Sequence, residues 1–142
     1  MRDLRTTRDS RYRGGVIPTT IEIPGTFPDF NKIIKAAKQG RGKYQPYALM
    51  KDEYTQIVAW CATRLPKYGR VDITITWWEP NRKRDPDGIM AGTKFIMDGL
   101  VQAGTIKNDS QRYVRSITHR FGVDQGNPRV EIEVEEVEEE RP

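Results

Sequence analysis

Asp85, Asp87, Lys94, Asp98 and Asp109 carry the side chains of this protein whose types and spacing suit catalysis. All lie in one stretch from Arg82 to Asp109, RKRDPDGIMAGTKFIMDGLVQAGTIKND. Asp85 and Asp87 are one residue apart and repel each other unless a cation compensates them. Oxygen donors of this kind select hard cations such as magnesium, which commonly keeps several waters. A divalent cation activates water and offsets charge on a phosphoryl group, and Arg82, Lys83 and Arg84 stand ready to attract a phosphate backbone. The stretch therefore reads as a magnesium site for cutting nucleic acid.

The local elements have to bring these groups together. Pro86 pushes Asp85 to an extended conformation and itself suits a first helical turn. A helix over Asp87–Val101 places Asp87, Lys94 and Asp98 on one face, opposite Ile96 and Leu100. On that face Lys94 could steady an attacked phosphate or a developing oxyanion. Asp-Pro-Asp-Gly is equally a pattern of helix caps and turns, and Asp109 after Asn108 suits another turn. Spacing alone leaves both readings open.

The rest of the inventory narrows the chemistry. His119 is the only histidine and Cys61 the only cysteine among 142 residues. A zinc cluster and an intrachain disulfide are thereby excluded, and the single thiol fits a reducing cytoplasm. Net charge is +4, but residues 131–142 contain seven Glu and one Arg, which leaves +10 on the first 130 residues. A body that basic favours polyanionic partners, nucleic acid before acidic membrane. No apolar run approaches the ~20 residues of a membrane span, and no signal-peptide core follows the N-terminal arginines.

Along the chain, residues 1–15 hold five arginines and end in Gly14-Gly15, the composition of a flexible basic arm. Val16–Ile23 reads as a strand stopped by Pro24-Gly25. A short helix opens at Pro28-Asp29 and runs through Lys38, with Phe30, Ile33, Ile34 and Ala37 on one face and Lys32, Lys35 and Lys38 on the other. A basic loop with Arg41 and Lys43 precedes a longer helix, Pro46 to about Arg64. Its apolar stripe is Met50, Tyr54, Ile57, Val58 and Cys61. Val71–Trp78 alternates as a strand, with Trp78 on the second face either packing on a helix or free to stack on a base. After the central stretch come a strand over Arg112–Phe121 and a final strand over Arg129–Val134. Those two read as a hairpin, with His119 as a surface or packing residue. Residues 135–142 read as a solvated acidic tail, or as a DNA mimic lying on the basic body. The whole is a small α+β domain: two layers, a mixed sheet with helices on one side.

Asp85, Asp87, Lys94, Asp98-Gly99-Leu100, Ala103-Gly104 and Asp109 occur in an order that resembles the RusA family of Holliday-junction resolvases of bacteria and their phages. Pro28-Asp29-Phe30-Asn31 is similar to that family's loop after the first strand. The resemblance covers roughly residues 17–134. Gly88 departs from it, standing where the family usually has Asn, and the interval from Asp87 to Lys94 is longer than in its shorter members. The resemblance implies a cytoplasmic homodimer that nicks four-way DNA junctions with Mg2+, or Mn2+ in its place. It implies metal binding by Asp85, Asp87 and Asp109 and a catalytic role for Lys94. DNA contacts are then expected from Arg82, Lys83, Arg84, Asn31, Lys32, Lys35, Arg41 and Lys43, with Asp98 in a lesser role. Two rival readings are a phage nuclease for other branched DNA and a basic DNA-binding protein without catalysis. Under any of the three, deleting residues 1–14 weakens DNA binding and flattens its dependence on salt, because fewer counterions are released. Titrations at several salt concentrations measure that slope.

Overall fold

The computed structural model describes residues 19–39 and 45–138. The basic arm, Val16, Arg41, Lys43 and the last four residues of the acidic end lie outside them. Among the described residues, four strands and four helices follow in the order β1 (Thr19–Pro24), α1 (Phe30–Gln39), α2 (Pro46–Ala62), β2 (Arg70–Glu79), α3 (Pro86–Met90), α4 (Thr93–Gln102), β3 (Val114–Val123) and β4 (Arg129–Val137). This is a small α+β fold with one mixed sheet, as the alternation of periods in the sequence implies. No helix of the described residues is long and apolar enough to cross a membrane.

The sheet order is β1-β4-β2-β3. β4 runs antiparallel to both β1 and β2, while β2 and β3 are parallel. A parallel pair needs a crossover, and α3 and α4 provide it. The expected hairpin of the last two strands therefore does not form. β4 inserts between β1 and β2 because its Val130, Ile132 and Val134 are buried and fill the middle of the sheet. β3, with few buried residues, is left at the edge. β4 also continues through Glu135, Glu136 and Val137, paired with Asp72, Val71 and Arg70. The first three residues of the supposed tail are thus strand.

One sheet face forms the core. Val71, Ile73, Ile75 and Trp77 of β2 join Ile21, Ile23, Ile132 and Val134, and α2 and α4 cover them with Val58, Phe95, Ile96 and Leu100. Burying each such side chain contributes about 1.5–3 kcal/mol. The opposite face is polar: Asp72, Thr74 and Thr76 of β2 lie beside Glu135, Glu133 and Glu131 of β4. Trp78 sits on that face, against Gly122 and beneath the Arg129 guanidinium at 4.9 Å, so it packs on the sheet's own residues and not on a helix.

The helices keep most of their expected faces, with Met50, Tyr54, Val58 and Cys61 of α2 and Ile33 of α1 in or against the core, and depart from them at single positions. α2 turns Thr55, Val58, Ala59 and Ala62 inward, leaving Ile57 exposed and Trp60 79% exposed. On α1, Ala36 is buried whereas Phe30 and Ala37 are exposed. The reason on α2 is close helix contact. A Cβ on Gly99 of α4 would stand 2.4 Å from Val58 Cβ and 3.0 Å from the Thr55 carbonyl oxygen. Only small side chains allow that approach, so Ile57 and Trp60 face out, while Met50 and Tyr54 pack at the margin of the core.

The single helix expected over Asp87–Val101 is two. It breaks at Ala91-Gly92, where bonds tighten to the third preceding residue: Gly92 N donates to Ile89 O and Phe95 N to Gly92 O. A Cβ on Gly92 would crowd Phe27 and the Trp77 ring at 3.0–3.2 Å. Glycine weakens the helix here and lets the backbone rest on both aromatics.

Gly99→Ala is expected to destabilise the fold by about 1–3 kcal/mol, because overpacking outweighs the gain in helix propensity. Val58→Ala in the same chain should recover part of that loss. A double-mutant cycle in denaturant measures the coupling.

Candidate functional site

The site begins where β2 ends. Alternation carries Val71, Ile73, Ile75 and Trp77 inward and adds Glu79 to the same row, 6% exposed. Burial pushes its carboxyl above the usual range, with the Arg84 charge opposing the rise and Asp29 adding to it. Arg84 reaches back to meet it: Nη1 lies 3.7 Å from Glu79 Oε1 and donates to the Phe27 carbonyl at 2.7 Å. Arg84 Nε lies 3.7 Å from Asp29 Oδ2. Asp29 in turn accepts from Lys32 N at 2.9 Å, which ties the start of α1 to the same cluster. Arg84, expected as a DNA contact, is therefore half-buried and committed inside the fold. Its neighbours Arg82 and Lys83 are exposed and have no ion-pair partner among the described residues.

Asp85 follows directly, extended at φ −77° and ψ 148°, and α3 starts at Pro86 as the proline rule implies. Asp85 occupies the cap position of α3, yet its side chain makes no capping hydrogen bond. Asp87, in the first turn, accepts only from its neighbour Gly88 N at 2.9 Å. At the far end of the stretch Asn108, not Asp109, makes the turn, its Oδ1 accepting from Ser110 N. Asp85, Asp87 and Asp109 are exposed, and none has an ion-pair partner among the described residues. Asp29, Asp72, Asp98 and Asp124 are paired, while Asp52 on α2 is exposed and has no ion-pair partner among the described residues either. The cap and turn explanations thus leave Asp85 and Asp109 uncommitted.

Lys94 and Asp98 remain neighbours on α4, with Nζ 3.0 Å from Oδ1. Lys51 of α2 approaches the other Asp98 oxygen at 3.8 Å. The hydrogen bond to Asp98 holds Lys94 above the usual lysine range; partial burial opposes this, and the charges of Asp98 and Asp109 add to it. Lys94 and Asp109 thus share one electrostatic neighbourhood. The break at Gly92 removes the continuous face expected to align Asp87 with Lys94.

Asp85, Asp87 and Asp109 offer only carboxylate oxygens, a donor set suited to a hard cation. They are not gathered: among the described residues no three Asp, Glu, His or Cys side chains form a group able to hold a metal ion. All three side chains are exposed, so rotamer changes are open to them. Asn31, Lys32 and Lys35 lie exposed on α1. His119 stands on β3 with Nδ1 accepting from Trp77 Nε1 at 3.0 Å; burial lowers its affinity for a proton, as this acceptor role requires. It is a packing residue.

Reading the sequence for chemistry passed over Glu79, Asn81 and Phe121, which line one cavity with Arg82 and Asp85. Glu79 was legible as the fifth inward position of the β2 alternation. Phe121 had no local signal, because its exposure depends on β3 lying at the sheet edge. Gly88 has room for a side chain: a Cβ there meets nothing nearer than Asp29 Cβ at 3.9 Å. Comparison with protein-family models gives no match, and comparison with curated proteins gives none either.

Arg84→Met should cost about 1–3 kcal/mol by leaving Glu79 buried without its cation. The folded-state pKa of Glu79, already raised from 4.5, then rises further, so the native state binds the extra proton and stability falls as pH rises. The deficit should therefore be largest at neutral pH and shrink as pH falls toward 4.5, and Glu79→Gln should relieve it. Urea unfolding at several pH values tests this.

Proposed function

We propose that the protein is a divalent-metal-dependent endonuclease that nicks branched DNA, four-way junctions above all, as the RusA-like pattern implies. The supporting observation is the junction of β2 with α3. There Asp85 and Asp87 stand without ion-pair partners beside the exposed cations Arg82 and Lys83, although capping and pairing neighbours are at hand. Carboxylates and cations left free side by side are available to a divalent cation and to phosphate.

In this reading Arg82 and Lys83 bind the phosphates on either side of the scissile bond, and the lysines of α1 extend the basic surface. Asp85, Asp87 and Asp109 hold Mg2+ or Mn2+. A cation bound there would supply an activated water and offset charge on the phosphoryl oxygens. Lys94, oriented by Asp98, donates to a phosphoryl oxygen as charge develops on it. Arg84 does not touch DNA; it fixes the backbone from which Asp85 projects. A four-way junction presents equivalent strands, so two copies related by a two-fold axis supply the paired nicks. Such work belongs to the cytoplasm of a bacterium or of a phage-infected cell.

Asp85→Asn, Asp87→Asn and Asp109→Asn should each lower cleavage of a synthetic four-way junction by at least about a hundredfold, while binding is kept. Magnesium or manganese should support cutting, calcium binding alone, and excess chelator should stop the reaction. Cleavage in chelator would end the metal mechanism. Tight binding with no cleavage under any ion would favour a DNA-binding protein without catalysis.

A further inference from the structure

The edge position of β3 leaves an apolar strip on the helix side of the sheet. Ile117, Phe121 and Val123 are 38–44% exposed, although their partners across β2, Ile73, Trp77 and Glu79, are buried. Toward the end of β3 the strip becomes one wall of a cavity of about 340 Å³, within the range that holds small ligands. Phe121, Val123, Ile89 and Pro86 supply apolar surface, and Asn81, Arg82 and Asp85 supply polar groups. Asn81 Oδ1 accepts from Lys83 N at 2.9 Å, and its NH2 group has no acceptor among the described residues. The cavity thus combines an exposed aromatic ring, a free amide donor and an unpaired guanidinium, next to a candidate catalytic carboxylate.

Those three features match a nucleobase, by its face and its edge, and the phosphate attached to it. A ring face binds a base by stacking, whatever the base. An amide NH2 donates to the acceptors that every base carries on its edges, and a guanidinium binds a phosphate. A base inside a duplex cannot use such a cavity, because its faces are already covered; a base freed at a branch point can. A second copy of the chain fits less well, since pairing about a two-fold axis at this cavity would bring the unpaired Arg82 and Lys83 of both copies together.

We propose that this cavity is a nucleobase subsite, in which a base unstacked at the DNA branch lies on Phe121, bonds to Asn81 and directs its phosphate to Arg82 beside Asp85. The inference rests on the reading of the site as a branched-DNA nuclease and adds how the branch is recognised. Phe121 then favours branched over plain duplex DNA without taking part in bond cleavage.

Photocrosslinking tests it directly. A four-way junction carries 5-iodouracil at the branch point, or in an arm as control, and is irradiated with the full-length protein in calcium. The expected crosslink forms from the branch position only and maps to the peptide containing Phe121. Phe121→Ala should lose it and weaken junction binding about fivefold or more, with duplex binding unchanged, while Phe121→Tyr keeps both. Branch crosslinks that map elsewhere, or equal binding by Phe121→Ala, overturn the subsite while leaving the nuclease reading intact if the wild type still cuts. A wild type that neither binds nor cuts the junction overturns both. A wild-type dimer that Phe121→Ala converts to monomer in light scattering, with the branch crosslink unchanged, makes the strip a subunit contact and overturns the subsite.

Discussion

The Arg84 guanidinium sets the architecture around the candidate site. It occupies the corner where β2 ends, α3 begins and the loop before α1 passes, and it meets one group from each side: Glu79, Asp29 and the Phe27 carbonyl. A carboxylate as buried as Glu79 is costly without a cation, and a guanidinium has enough donors to serve several acceptors at once. The arrangement gives Asp85 a fixed backbone, since the residue before it is anchored and the residue after it is proline. Rigidity of this kind is what a phosphate-cleaving centre requires, because small displacements of the reacting groups are expensive.

The sheet order distributes charge and apolar surface. With β4 between β1 and β2, Glu131, Glu133 and Glu135 of β4 fall on the face away from the helices, where Glu22 stands opposite Glu131 and Asp72 opposite Glu135. Arg129 and Arg115 offset part of that charge by pairing with Glu131 and Asp72. This acidic face repels a nucleic-acid backbone. The cations Lys32, Lys35, Arg82 and Lys83, on α1 and the loop after β2, attract it.

Close packing of α2 on α4 is the second constraint. Gly99 admits Val58, and the contact fixes α4, which carries Lys94 and Asp98. The break at Gly92 uncouples α4 from α3, so the two halves of the central stretch are positioned independently. α3 follows Arg84 and the Phe27 loop; α4 follows α2. Separate anchoring accounts for Asp85 and Asp87 not being gathered with Asp109, even though the sequence places them on one continuous stretch.

The sequence by itself determined the local periods and boundaries. Alternation in β2 put Val71, Ile73, Ile75 and Trp77 in the core; Pro86 marked the first turn of α3; Ile96 and Leu100 proved to be buried as their spacing required. These are properties of neighbouring residues, and neighbouring residues carry them. Only the tertiary structure decided which partner each element met. It left Ile57 of the α2 stripe exposed, because Gly99 lets α4 approach the small side chains beside it. It drew β4 away from β3 into the sheet interior, where its three inward apolar residues are covered on both sides. It turned Arg84 inward, because Glu79 is buried there, and left Phe121 uncovered, because β3 ended at an edge. Each of these outcomes depends on contacts between residues far apart in the chain, and no local period records them.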